Sequence, residues 1–366
     1  MTRLDHPLLA NWQPPDDFEP AESSDEGITV FAPVIVEEEE QGPVSAQCPN
    51  CGAGTSFDIK AAGLTCRYCG YVEVQTATKV GRGAEANEFT LDALRGGEQG
   101  WGVVRQELHC DTCGAELALA EGAMSASCVF CASNHVSVRA ASKSSLRPKF
   151  LVPFSVEDQV VRKNVETWLG KGWIHPRKLQ SVANFDHSQG IYLPFWTFTA
   201  KLDSNWEAEV GYPETERYYD ASSGSYKTRT VIKYRWESGY VCHRVRDLIS
   251  LGSSHISAKL MQRIEGYTLE DLVEYSPSFL AGWQAQAFDI ALPDAWDSGK
   301  RRMREGAKDA CRGTITSRYV RNFSMVADLE DETWRYVLLP VWVSAYKFRN
   351  KVFVVLVNGQ TGEVAG

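Results

Sequence analysis

The chain has 366 residues, 43% hydrophobic and 23% charged, an ordinary globular balance with material for a sizeable core and accessory modules. Its longest aliphatic run near the C-terminus, Val352–Val357, falls far short of the ~20 apolar residues of a membrane-spanning helix, and Met1–Glu26 has no apolar secretion signal, so the expectation is a soluble, cytoplasmic protein. The net charge of −9 sits almost wholly in residues 1–44, where eleven acids face one base, Arg3.

Such an acidic, Pro-containing segment buries too little apolar surface to offset its ordering entropy. Residues 1–44 are therefore expected to form a disordered acidic arm, either a solubilising tail or an autoinhibitory arm for a basic surface.

Two copies of C-x2-C-x14-C-x2-C follow, offset by 62 residues: Cys48, Cys51, Cys66 and Cys69, then Cys110, Cys113, Cys128 and Cys131. Two residues between cysteines let one tight turn aim both thiolates at one ion, and two such knuckles supply a tetrahedral S4 set suited to zinc. Gly52, Gly70 and Gly114 each follow a knuckle, where positive φ is often needed, while Ala132 follows the fourth. The expectation is a zinc ribbon at 45–77 and another at 108–140, holding two structural Zn2+ ions. Disulfides fit poorly without a secretion signal; redox C-x-x-C pairs or a rubredoxin-like iron site would use similar spacing. With four thiolates per ribbon, His109 and His135 are not needed as ligands. Cys242 and Cys311 read as buried free thiols.

Residues 78–107 form a linker, with a short helix expected over 87–95 and a strand over 101–108. The domain at 141–366 reads as α+β and mainly antiparallel. Phe150–Phe154 reads as a short strand, and a helix should run from about Asp158 to Leu169 with Val160, Val161, Val165, Trp168 and Leu169 on its apolar face. Strands are expected over Ile191–Leu202, Glu207–Tyr212 and Lys227–Arg246, with a turn at Ser222-Ser223-Gly224. A short helix over Ser257–Glu265 and a long one from Pro293 to Cys311, closed by Gly313, precede strands Tyr319–Leu329, Thr333–Phe348 and Lys351–Asn358. Leu193-Pro194-Phe195-Trp196 echoes Leu339-Pro340-Val341-Trp342: each proline marks a strand entry and each Trp packs the core, or the two Trp line one groove.

With the ribbons, Tyr192–Trp196, Phe279-Leu280-Ala281-Gly282-Trp283, Leu339–Trp342 and Val357–Gly362 resemble a bacterial family of double-zinc-ribbon proteins, often labelled after the primosomal replication-restart helicase. The resemblance covers roughly residues 46–366. It implies two ribbons on an α+β domain and a place beside membrane-stress proteins of the phage-shock and flotillin-like kinds. Helicase activity does not follow, because no G-x-x-x-x-G-K-[ST] phosphate loop is present.

No catalytic constellation stands out. Asp186-His187, Cys242-His243 and His175-Pro176 read as structural, and strand neighbours such as Cys242 and His243 point to opposite faces. The ribbons are neutral to acidic, which disfavours phosphate binding. Arg229, Lys233 and Arg235 share a strand face, and Lys300, Arg301, Arg302, Arg304, Lys308 and Arg312 a helix; both are solvated faces or docking sites for anionic lipid or an acidic partner. Phe57, Tyr68, Tyr71, Val129 and Phe130 are hydrophobic ribbon tips suited to a protein partner. The resulting expectation is a non-catalytic zinc-ribbon adaptor or scaffold for protein–protein interaction, with a nucleic-acid-binding ribbon protein as the alternative.

Overall fold

The computed structural model describes residues 18–21, 30–33, 47–75, 78–88, 106–119, 128–130, 135–140, 146–171, 188–348 and 351–366. The chain divides into two units, Met1–Gly42 and Pro43–Gly366. In the first, β1 (Phe18–Ala21) pairs antiparallel with β2 (Val30–Pro33). The segment expected to lack regular structure thus contains one short ladder; its eight residues include a single charge, Glu19, so the other acids lie outside it.

The second unit is mixed α+β, mostly strand. Three long strands dominate it: β11 (Gln189–Asp220), β12 (Ser225–Leu251) and β15 (Tyr319–Phe348). Smaller strands precede them: β3 (Ser56–Asp58), β4 (Gly63–Thr65), β5 (Val72–Val74), β6 (Asn87–Glu88), β7 (Gln106–Cys110), β8 (Glu116–Leu119), β9 (Val136–Ala140) and β10 (Phe150–Leu151). Later come β13 (Val273–Glu274), β14 (Gln284–Ala285), β16 (Lys351–Asn358) and β17 (Val364–Ala365). The helices are α1 (Asp158–Lys171), α2 (Ala258–Met261) and α3 (Leu292–Gly313), with short 3-10 turns between.

β11 lies between β15 on one edge and β14 then β12 on the other. β15 in turn carries β6, β10 and β16 on its outer edge. The ladders are antiparallel except β10–β15 and β11–β14.

Several expected breaks are absent. Ile191–Leu202 and Glu207–Tyr212 are one strand, as are Tyr319–Leu329 and Thr333–Phe348. The residues left between them continue the strands: Asn205 and Glu330 are exposed, Ser204 is buried, and Asp331 sits at a β-bulge. Register slips by one residue opposite Thr199/Lys201, Glu207/Glu209 and Phe198/Ala200. The extra residues are accommodated at Asp331, Asn322 and Asp247, whose φ values are 54°, 51° and 54°. Asp and Asn tolerate this left-handed conformation better than other non-glycine residues, so three bulges keep long strands continuous while re-aiming them.

The prolines likewise sit inside strands rather than at their entries. Leu193 pairs with Leu339, so the two Leu-Pro-x-Trp segments lie side by side. Pro194 falls where β11 passes from β14 to β12, and Pro340 where β15 passes from β10 to β16. A residue without an N–H is tolerated there because no ladder bond is required of it. Their carbonyls are used: Pro194 accepts from Gly252 N–H at 2.8 Å and Pro340 from Gly359 N–H at 2.9 Å.

Around this junction the sheet is buried on both faces. Ile191, Leu193 and Phe195 join Val337, Leu339 and Val341 in one core; Tyr192, Trp196 and Phe198 join Tyr336, Leu338 and Trp342 in the other. Trp196 and Trp342 each donate an indole N–H to a backbone carbonyl, Ile290 and Val156, at 3.0 Å, so both pack the core. α3 covers the second face with Leu292, Ala295, Trp296, Gly299, Met303, Ala307 and Cys311. A Cβ at Gly299 would come 2.9 Å from the Phe198 ring, so glycine lets the helix sit close. α1 covers the same face with Val161, Val165 and Leu169, whereas Val160, expected on that face, is exposed.

The short helix expected at 87–95 is corrected at its start. Asn87 and Glu88 form β6 against Thr333 and Trp334, a tertiary pairing invisible to local propensity; residues 89–95 lie outside the described residues.

Exposed Asp331 offers a test of the bulge argument. Asp331→Gly should leave stability unchanged or slightly raised, and Asp331→Val should lower it by about 1–2 kcal/mol, read by urea denaturation.

Candidate metal centres

Among the described residues, three of the knuckles are tight turns closed by backbone hydrogen bonds. The N–H groups of Gly52, Gly70 and Gly114 donate to the carbonyls of Cys48, Cys66 and Cys110 at 2.8, 3.0 and 2.8 Å. The same cysteines donate back to the carbonyls of Ala53, Tyr71 and Ala115. The glycines have φ of 73°, 73° and 74°, which explains the residue type after each of these cysteine pairs.

In the first ribbon, β3, β4 and β5 form their own antiparallel sheet. It brings Cys48, Cys51, Cys66 and Cys69 together with all ligand atoms within 4.8 Å of one another. Cys48 and Cys69 sulfurs are 3.4 Å apart, and Cys51 and Cys66 3.5 Å. In the second ribbon β8 and β9 flank β7; Cys110, Cys113 and Cys128 cluster, with Cys113 and Cys128 sulfurs 3.7 Å apart. Cys131 lies outside the described residues. A tetrahedral ion with metal–sulfur bonds of ~2.3 Å separates its sulfurs by about 3.8 Å, so both groups have the dimensions to hold a metal ion.

Electrostatics agree. Asn50 and the Tyr71 N–H hold the Cys69 thiol down to about 6, against burial. The N–H groups of Cys69 and Tyr68 lower Cys66. The Ala53 N–H pulls Cys51 down, but the adjoining Cys66, Cys69 and Cys48 sulfurs together with desolvation outweigh it and push it up to about 12. Neighbouring thiols therefore compete for charge, and a divalent cation relieves the conflict by accepting every thiolate.

His109 stands 3.5 Å from Glu116 and 3.8 Å from Asp111. His135 is exposed and its carbonyl accepts the Asp111 N–H. Neither belongs to a thiol group that can hold a metal.

The hydrophobic tips are corrected. Phe57, Val129 and Phe130 are buried, leaving Tyr68 exposed at 84% and Tyr71 between. The segment Phe279–Trp283 grips the first ribbon. Phe279 lies 5.0 Å from the Phe57 ring, Ala281 accepts the Phe57 N–H at 2.9 Å, and the Trp283 indole donates to the Phe57 carbonyl at 3.2 Å. Gly282, φ 78°, allows the approach: a Cβ there would sit 2.8 Å from Ser56. The second ribbon joins the main sheet through Ala118 and Ala285, and Phe130 stacks on His255 at 5.7 Å. Three of the five tips, Phe57, Val129 and Phe130, are covered by the protein's own core. Their sequence signal was the apolar character itself, which does not say whether the cover is internal.

Other expected features resolve similarly. Arg229 pairs with Glu216 at 2.8 Å, Lys233 with Glu214 at 2.7 Å and Arg235 with Glu237 at 2.8 Å, so the basic strand face is largely neutralised. On α3, Lys300 pairs with Asp297, Lys308 with Glu305 and Arg302 with Glu265. Cys311 is buried, but Cys242 is exposed, a correction that follows from strand alternation. His243 lies on the opposite face, where a Cβ at Gly306 would come 3.1 Å from its ring. Asp186-His187 and His175-Pro176 lie outside the described residues. No helix among the described residues is long and apolar enough to cross a membrane.

Missed by sequence reasoning is an exposed aromatic row. Register places Tyr234, Trp236 and Tyr240 of β12 on the sheet face shared with Glu209, Asn205 and Val326; Trp236 is 61% exposed and Tyr240 59%. Its signal was available: the three aromatics recur at even spacing along one strand.

No family model matches the chain, and no solved structure matches it. The chain is similar to an uncharacterized Bacillus subtilis protein, YdjG, with 25% identity over 332 residues, covering 88% of this chain and 89% of that one.

Metal content should divide between the two sites. The Cys48→Ser/Cys66→Ser pair should remove one metal equivalent and Cys110→Ser/Cys128→Ser the other, by elemental analysis of purified protein. Because thiolates must be deprotonated to bind, acidification should release metal from both, with loading falling as pH drops and recovering on neutralisation.

Proposed function

We propose that the chain is a non-catalytic adaptor whose two ribbons hold structural zinc and whose partner is another protein. Tetrathiolate sites suit zinc, and in a closed S4 site four protein ligands leave no position for water, so the metal there serves folding rather than chemistry. The ribbons act as clasps on the α+β domain. Supporting this is the burial of Phe57, Val129 and Phe130 within that domain.

The observation that carries the adaptor reading is the aromatic row on the open sheet face. Exposed Trp and Tyr offer large contact area at low entropic cost and recur as energetic centres of protein interfaces. Val326, also exposed, extends the same face. The pairing of Arg229, Lys233 and Arg235 with carboxylates counts against nucleic acid or anionic lipid as the main partner. Resemblance to the double-zinc-ribbon family supports a role in a membrane-stress assembly.

The test is a native pull-down from source cells with the wild type and a Trp236→Ser/Tyr240→Ser variant. A stoichiometric protein partner should be retained by the wild type and weakened about tenfold or more in the variant, both carrying two zinc ions. Retention of DNA or anionic vesicles instead, lost as salt rises, would overturn the reading.

A further inference from the structure

The two thiol groups are built into the fold unequally. In the first, Cys51 and Cys69 are exposed while Cys48 and Cys66 are buried. Each exposed sulfur has a buried one beside it on the other knuckle: Cys51 beside Cys66 at 3.5 Å, and Cys69 beside Cys48 at 3.4 Å. In the second group, of which Cys131 lies outside the described residues, Cys110 and Cys128 are buried and Cys113 is half-buried, in the same core cluster as Leu108, Leu117 and Phe130.

Attachment differs too. The first ribbon is a separate three-stranded sheet, held to the body by Phe57 against Phe279, Ala281 and Trp283, by Ser278 to Gln75 at 3.1 Å and by Lys60 to Glu157 at 2.9 Å. The second ribbon is continuous with the main sheet. Losing order in the first therefore need not break a ladder of the main sheet.

We infer that the first ribbon is an oxidant-responsive site, in which hydrogen peroxide converts Cys51–Cys66 and Cys69–Cys48 to disulfides and expels the metal. The inference rests on the zinc reading. The exposed thiolate of Cys51 or Cys69 attacks one peroxide oxygen; the O–O bond breaks, and the departing hydroxide takes the proton of the transferred OH and leaves as water, giving a sulfenate. After protonation, the adjacent buried thiolate attacks that sulfur, the S–S bond forms and hydroxide departs as water on taking up a proton. Each disulfide thus consumes one peroxide and releases two waters. Zn2+ keeps its oxidation state and leaves as the hydrated ion once its thiolates are gone. Exposure of a thiolate governs which of two otherwise similar sites reacts first.

The consequence for the fold is local. A contracted, metal-free first ribbon loses its hold on Phe279 and Trp283, uncovering an aromatic patch at the edge of the second-face core.

The test uses the full chain. Elemental analysis first fixes the zinc content, which reports on the metal reading alone; a chain without zinc overturns both readings. Hydrogen peroxide is then added with a chromogenic zinc chelator present, and disulfides are mapped by mass spectrometry. The expected result is release of one zinc equivalent about tenfold or more ahead of the second. Cys51–Cys66 and Cys48–Cys69 disulfides should accompany it, with Cys110, Cys113 and Cys128 still alkylated after denaturation. Simultaneous release of both ions, oxidation of the second group first, or release of the first ion with Cys51 and Cys69 still alkylated would overturn the inference.

Discussion

A sheet whose central strands are apolar on both faces must be covered twice, and the rest of this structure follows from that constraint. At Ile191–Phe198 of β11 and Tyr336–Val343 of β15 successive apolar side chains enter opposite cores. Burying one large apolar side chain contributes roughly 1.5–3 kcal/mol, so neither face can be left to solvent. One cover combines α1, α3 and the first ribbon; the other combines the second ribbon with the segment around α2. Units of some thirty residues are too small to hold a shape by packing alone, and each of these covers carries a thiol group with the dimensions to hold a metal ion.

The parts legible in the sequence were those fixed by local chemistry. The cysteine spacing and its glycines announced the knuckles because a tight turn with positive φ has few solutions. Pro293 and Gly313 announced α3, the 3.6-residue periodicity α1, and Ser222-Ser223-Gly224 the β11–β12 turn, where Gly224 has φ 61°. What escaped was decided by partners distant in sequence. The gaps expected at 203–206 and 330–332 close because the β11–β15 ladder runs through them. Pro194 and Pro340 look like strand entries until the changeover between neighbours is seen. Phe57 and Phe130 look like tips offered to a partner because an apolar side chain does not record which surface covers it.

The motifs outside the ribbons share a theme. Phe279–Trp283 receives the first ribbon. Asn358, fully buried, donates to the Ile264 carbonyl at 2.8 Å and accepts the N–H groups of Gln360 and Thr361, fixing the turn that ends β16. Gly359 makes room for Phe154, whose ring a Cβ would meet at 2.7 Å. These residues are joinery, and they leave the long β11–β12–β15 platform free of such duties. On that platform cross-strand ion pairs offset most charges, and the aromatic row stands out against a nearly neutral ground.

If the thiol groups hold metal ions as proposed, the order of the modules along the chain gives metal supply a place in time. Both ribbons precede β11 in sequence, so they leave the ribosome before the strands they will cover. The β11–β15 ladder joins segments more than a hundred residues apart, a slow closure during which doubly apolar strands wait for protection. A nascent chain that meets its metal early arrives at that step with its covers already shaped. One that does not would present the same strands bare, so metal scarcity during synthesis would be felt as a failure of biogenesis rather than as loss of activity in finished molecules.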